Sequence, residues 1–177
     1  MKKYELTTET KVISGHTLYR IRALVAFGSV DTGELGGWIE NETNLAQYGN
    51  AWVYGNARVY GNAQVYGDAW VYGDAEVYGN AQVYGNAQVY GNAEVCGNAE
   101  VCGNAAIMTI SHIGSRFGTT TFFVLKNGKI GVQCGCFYGD IDEFAAKVEQ
   151  THGNNQHGKA YKLAIELAKL RLQTRKE

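Results

Sequence analysis

Residues 54–71 read YGNARV-YGNAQV-YGDAWV, and this six-residue unit decides the fold. The unit repeats without a break from Tyr48 to Ile107, with Ala at one position and Val or Ile two positions later. An α-helix does not fit, because a period of six does not match its turn and each interior glycine would cost about 1 kcal/mol. A coil of short strands fits instead, with Ala and Val pointing inward and Gly-Asn or Gly-Asp forming each corner.

The repeat resembles the bacterial hexapeptide-repeat family, in which an aliphatic residue is followed four positions later by a small one. The resemblance implies a left-handed triangular β-helix with three hexapeptides per turn. On that basis residues 42–113 form twelve hexapeptides, or about four turns, and residues 18 apart stack on one face. The predicted fold class is therefore mainly β: a single-stranded left-handed β-helix with an N-terminal β cap and a C-terminal ββαα module.

The outward positions of the repeat predict one apolar feature. Trp52 and Trp70 are 18 residues apart and so share one face. Two exposed, stacked indoles favour an interface, and the resemblance implies assembly into a homo-oligomer, a trimer or a dimer. The alternative is that the N-terminal segment of the same chain shields the pair.

The two ends of the chain differ from the repeat. Residues 1–41 alternate like short strands and predict a β cap, with Trp38 closing the open end of the coil. Residues 114–177 predict a separate module, because Asn127-Gly128 is a strong hairpin signal between two strands. Asp140 and Glu143 then form a capping box that opens the first of two helices. The predicted parts are therefore 1–41, 42–113 and 114–177.

The whole chain also resembles a small protein type of bacteriophage and prophage genomes. The matching segments are Leu18–Leu24, Gly33–Ile39, the Tyr-Gly-Asn-Ala repeat, and Gly135–Phe144 with its Gly-Cys-Phe-x-Gly motif. This resemblance implies a phage or prophage setting and a location in the cytoplasm of a bacterial host.

Chemically capable side chains concentrate where the repeat meets the C-terminal module. If the module folds back, a histidine and an arginine from the end of the repeat would suit a phosphate or a carboxylate. The predicted ligand-binding residues are His112, Ser115, Arg116, Tyr138 and His152.

Other interpretations of this region stay open. Cys134 and Cys136 could join His112 and His152 in a metal site, although a Cys-x-Cys pair alone is a weak signal. Cys136 could act as a nucleophile beside a histidine. The plainest alternative is that Cys134 and Phe137 belong to the core and Arg116 to the surface. We predict no metal and no cofactor.

Charge and composition exclude several classes of partner. The net charge is −1, and residues 42–113 carry one basic and six acidic side chains, which is too sparse to mimic DNA. We therefore expect no nucleic acid partner. The N-terminus lacks the pattern of a signal peptide, and no apolar run is long enough to cross a membrane. Four cysteines are consistent with a reduced, cytoplasmic protein.

The uninterrupted repeat favours binding over catalysis. Acyltransferases of the resembled family usually place a catalytic histidine near a loop that breaks the coil, whereas no histidine occurs between His16 and His112. We predict a non-catalytic binding protein with counter-defence as one setting, blocking a host protein or sequestering a small anionic, nucleotide-like signal. The alternatives are a hexapeptide-type acyltransferase with a site between subunits, and a structural component of a virion.

Overall fold

The computed structural model describes residues 1–102, 107–125 and 127–172. The chain divides into two compact units, Met1–Asn104 and Ala105–Glu177. The first unit combines the N-terminal strands with the repeat, and the second contains the remaining strands and both helices. The sequence-based division at residues 41 and 113 thus differs from the division into these two units.

The first unit is a β-solenoid preceded by a hairpin. Its longer strands are β1 (Tyr4–Ile13), β2 (His16–Ala23) and β3 (Leu35–Ile39), followed by a 3-10 helix at Glu42–Asn44. Nine two-residue strands come next, one in each hexapeptide: β4 (Trp52–Val53), β5 (Arg58–Val59), β6 (Gln64–Val65), β7 (Trp70–Val71), β8 (Glu76–Val77), β9 (Gln82–Val83), β10 (Gln88–Val89), β11 (Glu94–Val95) and β12 (Glu100–Val101).

Three sheets form the faces of the solenoid; the strands of the repeat pair in parallel, whereas β1, β2 and β3 pair antiparallel with one another. One has the order β1-β2-β3-β5-β8-β11, the second β10-β7-β4, and the third β12-β9-β6. Within the repeat, residues 18 apart lie opposite each other, as in Arg58, Glu76 and Glu94. The predicted faces are therefore confirmed between Trp52 and Val101, and so is the fold class of a mainly β protein with a β-helix of about four turns and a two-helix module.

The repeat pattern explains the solenoid core. The alanines from Ala51 to Ala99 and the valines from Val53 to Val101 are buried, so both positions point inward as predicted. Each rung donates backbone hydrogen bonds to the next, for example from Trp52 N to Ala69 O at 3.0 Å. The coil thus buries a continuous core of small aliphatic side chains.

The register shifts by two residues at the start of the solenoid. Ile39 lies opposite Val59, and Leu45 forms a bridge with Val65, so these pairs are 20 residues apart rather than 18. Counting back in sixes from Ala51 puts Leu45 and Ile39 at the alanine position, so the repeat spacing alone predicts the wrong row for both residues. Two extra residues between Leu45 and Val53 move both residues onto the valine rows.

Polar groups cap the N-terminal end of the solenoid. The first rung of a parallel coil leaves carbonyl groups without a partner rung. Asn44 Nδ2 donates to the carbonyls of Gly61 and Ala63 at 3.0 and 2.8 Å, and Lys3 Nζ donates to the Ala51 carbonyl at 2.9 Å. Trp38 does not close the end as predicted: it lies in β3 beside Arg58, buried among Leu18 and Tyr60.

The second unit is an antiparallel sheet followed by two helices. The strands β13 (Ile107–Ile113), β14 (Gly118–Val124), β15 (Ile130–Cys134) and β16 (Phe137–Asp140) are neighbours in that order. Helices α1 (Ile141–His152) and α2 (Gln156–Leu172) contribute Phe144, Val148 and Ile165 to a core shared with Phe122 and Val132.

The second unit contains two strands more than the predicted ββαα module. Residues 107–113 were predicted to continue the coil, because Ile107 and Ile113 keep the six-residue spacing. Instead β13 pairs with β14, with Ile107 opposite Phe123. The capping box of Asp140 and Glu143 is present as predicted. The spacing of apolar residues predicts a second helix from about Lys159 to Gln173; α2 begins earlier, at Gln156, and Gln173 lies outside the described residues.

Neither of the two helices in the described part of the chain combines the length and apolar character that a membrane crossing requires.

Candidate functional site

A groove of 530 Å³ lies on the outer surface of the solenoid. One wall is Trp70, whose ring stacks on Tyr54 with centroids 5.7 Å apart and planes at 20°. Tyr72 also lines the groove, and its ring stacks on Tyr90 with centroids 5.4 Å apart and planes at 16°. The lining consists of Tyr54, Gly55, Trp70, Tyr72, Gly73 and Gln88. Three aromatic side chains, Tyr54, Trp70 and Tyr72, therefore line one concave surface.

The repeat itself explains why Trp70 meets Tyr54. Several corner tyrosines donate to the outward residue 16 positions later, as Tyr66 does to Gln82 Oε1 at 2.9 Å and Tyr72 to Gln88 Oε1 at 3.3 Å. The residue 16 positions after Tyr54 is Trp70, which has no side-chain acceptor. Stacking therefore replaces the hydrogen bond, and this substitution within a regular ladder creates the groove.

Trp52 does not form an exposed pair with Trp70. It lies opposite Trp70 in the same sheet, as predicted, but it is fully buried. Tyr4 and Phe27 contact its ring in edge-on geometry, with centroids 6.1 and 5.3 Å away. The N-terminal segment thus shields Trp52, which corrects the expectation that it faces a partner, and only Trp70 stays partly exposed.

The groove offers contact surface and few reactive groups. The Tyr54 hydroxyl donates to the Glu34 carboxylate, and this bond, together with burial, raises the pKa of Tyr54 to about 12. The same bond lowers the pKa of the Glu34 carboxyl. Tyr54 therefore stays protonated at neutral pH and cannot serve as a general base. Aromatic faces, hydroxyls and one amide remain for binding.

The structure places the five predicted ligand-binding residues in the second unit. His112 is exposed on β13, with φ of 59° at a point where the pairing with β14 shifts register. Ser115 and Arg116 are exposed in the turn that follows. Tyr138 lies opposite Gln133 on β16, and His152 is the last residue of α1. None of the five belongs to the solenoid. Residues 42–113 were predicted to form the coil, which would place His112 on one of its faces, and that placement is wrong because β13 pairs with β14.

A buried tyrosine that the sequence did not single out links parts of this predicted site. The His152 ring stacks on Tyr161 with centroids 5.7 Å apart. The Tyr161 hydroxyl lies so close to Gly114, just before Ser115, that a Cβ there would be 2.1 Å from the oxygen. Tyr161 also shares a hydrogen bond with Cys134 Sγ at 3.5 Å. His152 and the turn at Gly114 thus both contact Tyr161.

Cys134 has a structural role in the second unit, whereas Cys136 is exposed. Cys134 Sγ accepts a hydrogen bond from Thr120 Oγ1 at 3.1 Å. Cys134 and Phe137 both pack against the core of the unit, as the plainest alternative interpretation predicts. Within residues 1–102, 107–125 and 127–172, no group of three or more His, Cys, Asp or Glu side chains could hold a metal ion.

Comparison with known proteins identifies the repeat. Residues 51–67, 63–79 and 81–97 match the YdcK Beta solenoid repeat family. A 61-residue stretch is 39% identical to the Uncharacterized acetyltransferase YdcK of Escherichia coli (strain K12), and it covers 30% of this chain and 19% of that protein. The chain thus spans about a fifth of this relative's length, and the likeness supports a repeat β-helix rather than any one activity.

Proposed function

We propose that this chain is a non-catalytic binding protein that docks a protein partner through the aromatic groove. The groove carries the proposal, because Trp70 is partly exposed between two tyrosines and the lining has no charged side chain. Large aromatic side chains in concave, neutral surfaces are the usual anchors of protein interfaces.

The first partner that we propose is a second copy of this chain. The face that carries Trp70 already accepts an aromatic side chain at the rung before, where Phe27 packs edge-on against Trp52. An aromatic side chain from a partner subunit could occupy the equivalent position beside Trp70. A homo-oligomer in which this face is shared would cover the groove.

Trp70→Gln tests this interface with little risk to the fold. The repeat itself carries glutamine at the equivalent outward position in Gln64, Gln82 and Gln88. We expect sedimentation velocity to show a dimer or trimer for the wild type. Trp70→Gln should weaken self-association about 30-fold, since a buried aromatic anchor contributes about 2 kcal/mol.

The control for this experiment is Gln64→Ala, which truncates an exposed side chain on another face of the solenoid. It should assemble like the wild type. A wild type that stays monomeric at high concentration would contradict the second copy as the partner and would direct the search to a host protein. Equal self-association of Trp70→Gln and the wild type would remove the groove from the interface.

The alternative function is acyl transfer, and its support is the printed name of the Escherichia coli relative. The strands β4–β12 contain no histidine, and the exposed His112 lies in the second unit. We expect no release of free coenzyme A when the protein is incubated with acetyl-coenzyme A and primary amines. Turnover that disappears in His112→Ala would overturn the non-catalytic proposal.

The finer predictions about ligand and setting remain proposals. Sequestration of a small anion at His112, Ser115, Arg116, Tyr138 and His152 is one of them, and ligand binding that survives Arg116→Ala would count against it. A phage or prophage setting, a counter-defence role and a cytoplasmic location rest on the resemblance of the whole chain.

A further inference from the structure

Three unpaired hydrogen-bond donors belong to residues that lie opposite one another on adjacent strands of the sheet that joins the hairpin to the solenoid. In the part of the chain that the structure describes, four buried side-chain nitrogens have no hydrogen-bond partner. Three of them are Nε of Arg20, Nε1 of Trp38 and Nε of Arg58. Arg20 lies opposite Trp38, and Trp38 lies opposite Arg58. A buried donor without a partner costs roughly 1–3 kcal/mol, so three neighbours indicate a site for a shared acceptor.

The same place concentrates positive charge. Lys11 Nζ lies 4.1 Å from the centre of the Trp38 ring, and Arg20 Cζ lies 5.2 Å from it. We call Lys11, Arg20, Trp38 and Arg58 the basic cluster. Arg58 forms an ion pair with Glu76 at 2.6 Å, whereas neither Lys11 nor Arg20 has an ion pair with any described residue. The three positive charges therefore share a single ion pair, and Asp74 is a second acidic residue whose charge reaches Lys11.

The positive charges of the basic cluster repel one another. Burial lowers the pKa of Lys11, and the nearby charges of Arg58 and Arg20 lower it further, while Glu76 and Asp74 partly counteract them. The next outward residue after Glu76 in this sheet is Glu94. The row thus changes from positive at the hairpin to negative farther along the solenoid, and the excess of positive charge is confined to the basic cluster.

Contacts inside the basic cluster do not satisfy its donors. Cations above an indole face gain about 0.5–1 kcal/mol each from the ring, but the indole N–H lies in the ring plane and needs an acceptor at its edge. Lysine and arginine side chains are donors only. Glu76 is the acceptor that contacts the cluster, and it binds the terminal nitrogen of Arg58.

We propose that the basic cluster is a binding site for a tetrahedral oxyanion, namely the phosphate group of a small molecule or inorganic phosphate itself. Its several oxygens can accept from the guanidinium groups, the indole N–H and the Lys11 ammonium together, and arginine forks match phosphate geometry. The proposed function includes the sequestration of a small anion, and the ligand class of this site rests on that proposal. The basic cluster lies in the first unit, whereas the five residues predicted from the sequence belong to the second.

A titration with inorganic phosphate at constant ionic strength tests the site. The chain has three tryptophans, so its indole N–H groups give three NMR signals that single Trp→Phe variants can assign. We expect the Trp38 signal to shift with saturation, while the signals of Trp52 and Trp70 stay in place. Arg20→Gln should weaken phosphate binding about tenfold or more, because it removes a charge-assisted hydrogen bond.

Two further variants make the test specific. Arg22→Gln removes the same charge from the same strand, but Arg22 pairs with Glu5 outside the basic cluster, so this variant should bind like the wild type. Arg58→Gln should weaken binding as Arg20→Gln does. It introduces the residue that the repeat carries at Gln64, Gln82 and Gln88, and it therefore keeps the test valid if Arg20→Gln does not fold.

The outcomes separate this site from the groove. Tighter binding of adenosine monophosphate than of inorganic phosphate supports a phosphorylated ligand, and equal binding supports the free anion. A Trp38 signal that does not move, or equal weakening by Arg20→Gln and Arg22→Gln, overturns the site. Because Trp70→Gln leaves the basic cluster intact, it should keep phosphate binding even if the proposed interface fails.

Discussion

Lys3 combines a structural role with a titration that can be measured. Its side chain is buried, its ammonium donates to the Ala51 carbonyl at 2.9 Å, and burial lowers its pKa to about 8. Between pH 8 and 10.5 the folded state loses this proton before the unfolded state does, so stability rises with pH in that window. We expect Lys3→Met to cost roughly 1–2 kcal/mol at pH 7 through the unpaired carbonyl. The deficit should grow from pH 8 to pH 10.5 in urea unfolding, while Lys2→Met, at an exposed neighbour, should show no such trend. A constant deficit would contradict the role of Lys3.

A solenoid corner can need glycine because of its positive φ or because the next turn leaves no room for a Cβ. Gly49 and Gly91 distinguish these two reasons. Gly49 and Gly91 have similar φ values of 69° and 66°, which disfavour any residue with a Cβ. A Cβ at Gly49 would lie 2.6 Å from Gly67 O, which the Ala51 N–H holds at 2.8 Å, whereas one at Gly91 meets no described atom within 4 Å. We expect Gly91→Ala to cost about 1 kcal/mol and Gly49→Ala to cost about 1–3 kcal/mol more. Thermal unfolding of both variants checks this, and equal costs would show that φ alone sets the requirement for glycine.

The two units can be followed separately in one unfolding experiment. Trp38, Trp52 and Trp70 are the three tryptophans and all lie in the first unit, whereas both α-helices lie in the second. Tryptophan fluorescence therefore reports the solenoid, and ellipticity at 222 nm reports mainly the helices. Phe144→Ala in the second core should cost about 3–5 kcal/mol and lower the urea midpoint of the ellipticity signal. We expect the fluorescence midpoint to stay unchanged. A common shift of both midpoints would mean that the units unfold as one.

The repeat made most of the solenoid predictable, because every hexapeptide has the same residue pattern and therefore predicts the same local structure. Alanine, valine and glycine fix the inward positions and the corners, and the 18-residue spacing then fixes which outward residues are neighbours. The capping box of Asp140 and Glu143 marked the start of α1 for a similarly local reason. The prediction failed at residues 107–113. Ile107 and Ile113 keep the six-residue spacing, but β13 pairs with β14 and not with a described turn of the solenoid.

The binding surfaces depend on contacts that local patterns do not encode. Trp52 and Trp70 look equivalent in the sequence, and only the path of the N-terminal segment buries one and leaves the other partly exposed. Arg20 and Trp38 meet because β2 pairs with β3, and the two-residue shift before Val53 brings Arg58 next to them. The 18-residue spacing of the repeat does not place Trp38 opposite Arg58, which lies 20 residues later. The basic cluster therefore cannot be predicted without knowing how the strands pair.

The stacking of residues 18 apart limits how such a chain can change length over generations. A gain or loss of three hexapeptides within the repeat adds or removes one full turn, and every later outward residue returns to its own face. A gain or loss of a single hexapeptide moves each later residue to a neighbouring face. Between Arg58 and Glu76 it would separate the ion pair at the edge of the basic cluster. Where contacts between neighbouring turns matter, the number of hexapeptides should therefore change only in multiples of three. Relatives of different length should then differ by whole turns.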